Sequence, residues 1–113
     1  MNELEMLSDN LRRAAHVAQN EPCWTLDDAL AVVDGFLDND VAILGVETWR
    51  FDNGDTEHPR VVDWSSYDVD VGLPWSQVLE QSGAQARKYL NAAATDEEFW
   101  FNFTIQQLYD RIG

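Results

Sequence analysis

The chain has 113 residues, 21 acidic against 7 basic side chains, a net charge of −14 and an isoelectric point near 4.1. That is the length of one domain, 1–113, and with 45% hydrophobic and 12% aromatic residues it is too apolar for an acidic disordered tail. The longest apolar run, Val41 to Val46, falls far short of the ~18 residues of a membrane span. The acidic start Met1-Asn2-Glu3-Leu4-Glu5 lacks the basic and apolar regions of a signal peptide. The single cysteine, Cys23, excludes an internal disulfide or a cysteine-rich zinc site, which fits the cytoplasm. The excess of negative charge argues against direct binding to nucleic acid or to an anionic membrane.

Leu4, Leu7, Leu11, Ala15 and Ala18 recur at helical spacing and predict an N-terminal helix, which Asn10 would weaken. A second helix starts after Thr25, with Asp28 three residues on in a capping-box-like pattern and Asp27 near the positive end of the dipole. Leu26, Ala29, Leu30, Val33, Phe36 and Leu37 form its apolar stripe, and Asp38-Asn39-Asp40 should end it. From Val41 to Phe51, β-branched and aromatic residues predict a strand, apolar on both faces in its first half and alternating in its second. Asn53-Gly54 within Asp52-Asn53-Gly54-Asp55 signals a hairpin, because both turn positions favour positive φ. Arg60 to Trp64 is then the returning strand, with Pro59 at or just before its start.

Ser65 to Leu73 reads as a loop, and Pro74 suits the first turn of a third helix. Trp75, Val78, Leu79, Ser82, Ala86, Tyr89, Leu90 and Ala93 share one face of that helix. Gly83 in its middle is unfavourable by ~1 kcal/mol relative to alanine unless another element approaches closely there. Phe99, Phe101, Phe103 and Ile105 alternate with Trp100, Asn102 and Thr104, which favours a third strand, although Thr95 to Glu98 also reads as a helix cap. The expected fold is α+β: one domain, with helices packed on a small antiparallel sheet of about three strands.

No constellation of catalytic residues stands out. His16, on the N-terminal helix, and His58, before Pro59, are read as surface or partly packed side chains. Cys23, between Pro22 and Trp24, reads as inert packing. Neither a glycine-rich phosphate loop nor a Gly-x-Ser-x-Gly elbow is present. Asp52 to Asp55 and Asp68 to Gly72 resemble calcium loops superficially, but their glycines fall at the third and fifth places where the sixth is required. A solvated acidic loop outweighs a loose cation site at Asp68 and Asp70. No pair of carboxylates is singled out for glycoside hydrolysis. The expectation is no catalytic residue, no metal and no cofactor.

Charge is distributed unevenly. Glu21 to Asp70 holds 13 acids against Arg50 and Arg60 alone, a net of −11. Solubility accounts for such charge equally well. The alternative is a docking face for a basic partner, with Trp64, Tyr67 and Trp75 as aromatic anchors inside a charged rim.

Ala29-Leu30-Ala31-Val32-Val33, leading through Asp40-Val41-Ala42-Ile43-Leu44-Gly45-Val46-Glu47, resembles the early helix and strand of the immunity protein 40 family. Asn53-Gly54, Asp63-Trp64-Ser65, Gln81-Ser82 and Ala86-Arg87-Lys88-Tyr89-Leu90 continue the likeness, which covers about Thr25 to Leu90. Val46-Glu47-Thr48-Trp49 departs from the pattern, and the N-terminal helix lies outside it. The resemblance implies a small, non-enzymatic cytoplasmic inhibitor that binds one toxin C-terminal domain 1:1, as in bacterial contact-dependent inhibition. Toxin domains that cut nucleic acid carry basic clefts, so the toxin is expected to be a basic nuclease. The face assigned to it is Asp63, Trp64, Tyr67, Asp68 and Asp70, then Glu47, Asp52, Asp55 and Glu57. Two other readings stay open: an acidic mimic of nucleic acid that blocks a DNA- or RNA-binding protein, and a small carboxylate-dependent enzyme.

Overall fold

The computed structural model describes residues 4–70, 72–93 and 99–107. Among them are three helices, a three-stranded antiparallel sheet and a separate two-stranded one, a single α+β domain as the sequence predicts. In chain order the elements are α1 (Asp9–Ala14), β1 (His16–Ala18), β2 (Glu21–Cys23), α2 (Leu26–Asp38), β3 (Val41–Arg50), β4 (Arg60–Ser66), α3 (Trp75–Ala92) and β5 (Phe99–Gln107). The larger sheet has the order β4-β3-β5, so β3 lies at its centre. As the central strand, β3 has both edges hydrogen-bonded, one to β4 and the other to β5.

The apolar stripe of α2 buries Ala29, Val32, Val33 and Phe36 against this sheet. The helix ends where Asp40 adopts φ 59° and its amide donates to the Leu37 carbonyl. The capping box is only partly formed: the Thr25 hydroxyl caps no helical amide and donates instead to the Asp28 carboxylate at 3.4 Å. Helix α3 lies beside α2 on the same face, and Gly83 is where they meet, because a Cβ there would run into the Leu37 side chain. α3 runs alongside β3 in the same direction. Trp75 Nε1 donates to the Asp40 carbonyl at one end, and Tyr89 meets the Thr48 hydroxyl at the other, 2.6 Å away.

Two bulges set the sheet's phase. Between Ile43 and Gly45 the pairing of β3 with β5 skips Leu44, and between Thr48 and Trp49 its pairing with β4 skips Val62. The extra residue at Leu44 turns Val46 and Thr48 to the same side as Val41 and Ile43, where the alternation of a regular strand would have opposed them. That side carries the main core, with Trp24, Phe36, Phe101 and Phe103 as its large rings. β4 has left the ladder by Ile43, and Ser82 Oγ on α3 accepts the Ile43 amide at 3.2 Å in its place. Ser82→Ala is therefore expected to strand a buried N–H and lower stability by about 1–3 kcal/mol. A urea melt that left the midpoint unchanged would contradict this.

The N-terminal helix is much shorter than its stripe predicts. Ala15 turns extended (ψ 132°), and β1 and β2 form a hairpin through Gln19 and Asn20, both at positive φ. Ala18 and His16 thus belong to a strand, not a helix. The cause is tertiary: Ala18 and Cys23 are buried with Trp49, Phe51 and Trp100 on the sheet face away from α2 and α3. His16 packs edge-on to Phe51 at 5.2 Å, and Asn102 Nδ2 donates to the Pro22 carbonyl at 2.8 Å. Elsewhere, β4 continues past Trp64 to Ser66 before the loop begins, and Pro74 caps α3 from the position before its first residue. The alternative helix cap at Thr95 to Glu98 lies outside the described residues.

Candidate functional site

The hairpin β1–β2 covers the helix-free face of the sheet at its Trp49–Trp100 end and reaches Asn102 in the next row. The register then puts Trp64, Glu47 and Asn102 side by side across β4, β3 and β5, followed by Ser66, Gly45 and Thr104. Trp64 is 70% exposed. Gly45, with no side chain, floors a shallow open recess of about 250 Å³ lined by Glu47, Trp64, Ser66 and Thr104 among others. A Cβ there would lie 3.0 Å from the Ser65 carbonyl oxygen, tighter than an ordinary contact, so a larger residue would have to push β4 aside.

The residues expected to form one acidic face are spread over both sides and both ends of the sheet. Glu47 and Trp64 are direct cross-strand neighbours on the helix-free face. Asp63 pairs with Thr48 and so faces the other way, near the Tyr89 hydroxyl. Burial above all pushes the Tyr89 phenol up; the Thr48 hydrogen bond opposes this, and the Asp63 and Glu47 carboxylates reinforce it. Tyr67 fastens the start of the β4–α3 loop, donating its hydroxyl to Gln81 Oε1 at 2.9 Å and its amide to the Leu44 carbonyl at 2.7 Å. Asp68 and Asp70 in that loop are exposed, and Asp70 accepts the Gly72 amide at 2.9 Å.

Asp52, Asp55 and Glu57 lie at the opposite end of β4, in the β3–β4 loop. Asn53 and Gly54 take positive φ as expected, but β4 waits until Arg60 because Asp55 Oδ1 gathers the amides of Glu57 and His58 in a second turn. Asp55 also meets the His58 ring at 3.0 Å. Asp52 sits between Arg60 (2.9 Å) and Arg50 (3.2 Å), whose hydrogen bonds and charges hold its carboxyl below the usual range. Backbone amide bonds, the Glu57 one foremost, do the same for Asp55.

Charge along the molecule is therefore polar. Arg50 and Arg60 offset the acids of the β3–β4 loop, Lys88 adjoins Tyr89 at the Thr48 end, and Arg87 reaches across to Asp34 on α2, one turn before Asp38. At the Val41 end stand Asp38, Asp40, Asp68 and Asp70, all exposed. Ten residues of β3 at roughly 3.3 Å each separate the two ends, several times the Debye length of about 8 Å. Asp38 and Asp40 are additions to the face read from sequence. A signal for them was present: acids at a helix C-terminus oppose the macrodipole, and the last turn of α2 has no basic residue to offset them.

No three His, Cys, Asp or Glu side chains converge to hold a metal ion among the described residues. Between β3, β4 and α3 a void of only about 10 Å³ touches Ser82, room for one water and no substrate. Cys23 is fully buried, its Sγ 3.3 Å from the His16 carbonyl, and burial pushes the thiol up to about 12. Native protein is accordingly expected to react with a thiol reagent more than about 100-fold slower than denatured protein. Because the unfolded thiol ionises near ~8.5, the contribution of Cys23 is intact below that pH and declines as pH rises toward 12. The urea midpoint should thus fall between pH 8 and pH 10, and a flat profile would contradict the burial.

No described helix is long and apolar enough to cross a membrane. Comparisons with protein-family models, curated proteins and solved structures find no match to this chain.

Proposed function

We propose that this chain is an immunity protein, a non-enzymatic cytoplasmic inhibitor that binds one basic toxin domain, of nuclease type, in a 1:1 complex. The observation that carries the reading is the segregation of charge: Asp38, Asp40, Asp68 and Asp70 share an end about 30 Å from Arg50 and Arg60. An acidic surface needed only for solubility has no reason to set these four acids so far from Arg50 and Arg60. A surface that steers a basic partner does, since distant counter-charges are screened and the local field survives. Trp64, 70% exposed on the adjacent sheet face, supplies the aromatic anchor that such interfaces use at their centre. The likeness of the Ala29 to Glu47 stretch to the immunity protein 40 family points the same way.

The test is calorimetric titration against the C-terminal domain of the product encoded immediately upstream, at two salt concentrations. Nanomolar 1:1 binding that weakens with salt is expected. Absence of binding would overturn the pairing, and salt-independent binding would move the interface away from the acidic end.

A further inference from the structure

Resting on that partner-binding reading, we propose that the recess over Gly45 is the seat of an arginine side chain of the partner. Its three essential parts come from two adjacent strands. Gly45 leaves the floor bare, Glu47 stands beside it on β3, and Trp64 faces Glu47 from β4. Directly opposed residues hold their Cβ atoms about 5 Å apart, so an indole face and a carboxylate stand side by side over the same hollow. A guanidinium satisfies both at once, stacking its plane on the indole while its N–H fork meets the carboxylate. Ser66 and Thr104, both exposed on the rim, offer hydroxyl oxygens to the remaining N–H donors.

Charge selects the occupant. Arg50, Arg60, Arg12, Arg87 and His58 pair with Asp52, Asp9, Asp34 and Asp55, and among the described residues none pairs with Glu47. With a whole-chain charge of −14, a cation is the complementary guest. Lysine fits less well, because a compact, strongly hydrated ammonium neither stacks nor forks. At about 250 Å³ the hollow lies below the ~300–1,000 Å³ of small-molecule pockets and suits one side chain.

The experiment is titration of the full chain with N-acetyl-arginine amide, followed by backbone and indole amide NMR. Saturable shifts are expected at Gly45, Glu47 and the Trp64 indole N–H. The uncharged citrulline analogue, Glu47→Gln and Trp64→Ala should each weaken the response at least about tenfold, one charge-assisted bond's worth. The native spectrum of each variant serves as the folding control. Shifts that fail to saturate, that spread evenly over Asp38, Asp40, Asp68 and Asp70, or that survive Glu47→Gln would overturn the proposal. If the probe fails while the toxin domain still binds, the recess is not the seat and the immunity reading stands. If the probe seats but no toxin domain binds, the recess is upheld as an arginine site and the immunity reading falls.

Discussion

Replacing Trp24 with alanine is expected to destabilise the fold by about 3–5 kcal/mol, a large part of the ~5–15 kcal/mol that holds a domain of this size together. The ring is fully buried and lies 6.0 Å, centre to centre, from Phe103. Its Nε1 donates to the Leu11 carbonyl at 2.9 Å, and its backbone exchanges hydrogen bonds of 2.9 and 2.7 Å with Phe101. Truncation therefore opens a cavity between α2 and β5 and takes from α1 the bond that ties it to the core. The urea midpoint should drop sharply, and amides of α1 should exchange faster than those of α3. Trp64→Ala is the control: at 70% exposure it should shift stability by less than about 0.5 kcal/mol. Equal effects from the two tryptophans would mean that the core has been misassigned.

How far the sequence foretells this arrangement depends on whether an element's pattern is long enough to be read. Helix α2 shows its stripe over more than three turns, and Asp38-Asn39-Asp40 stops it where expected. β5 shows alternation through Phe99 to Ile105, and Gly83 declares a close approach that Leu37 fulfils. β1 and β2 hold only three residues each, too few to display a period of two, and their turn uses Gln19-Asn20 without a glycine. Ala15 and Ala18 meanwhile fit a helical stripe that begins at Leu4. The bulges at Leu44 and Val62 carry no local mark either, because both arise from how three strands share one register. For the candidate site, Glu47 and Trp64 both stand out in the sequence but their pairing does not: a two-residue Asn53-Gly54 turn would set Glu47 opposite Arg60, and the longer loop with the bulge at Val62 brings Trp64 there instead. The charge polarity does not follow: it requires knowing that α3 runs alongside β3 and that Arg50 and Arg60 both fold onto Asp52.

That polarity makes a sharp prediction about which acids matter to the proposed partner. Asp68→Lys with Asp70→Lys puts two cations where Asp38, Asp40, Asp68 and Asp70 gather, and is expected to slow association with the toxin domain by about tenfold or more at low salt. The salt dependence of the association rate should shrink with it. Asp52→Asn removes a charge as well, yet Arg50 and Arg60 already compensate that carboxylate, so no comparable slowing is expected. Trp64→Ala should act on the other rate. Losing a central aromatic anchor removes about 2 kcal/mol or more, which speeds dissociation roughly 30-fold and leaves the encounter nearly untouched. Stopped-flow association and surface-immobilised dissociation separate the two contributions. If Asp52→Asn slows capture as much as the double lysine variant, the partner responds to total charge and not to this end of the molecule. If Trp64→Ala leaves dissociation unchanged, the helix-free face of the sheet lies outside the interface, whatever the acids do.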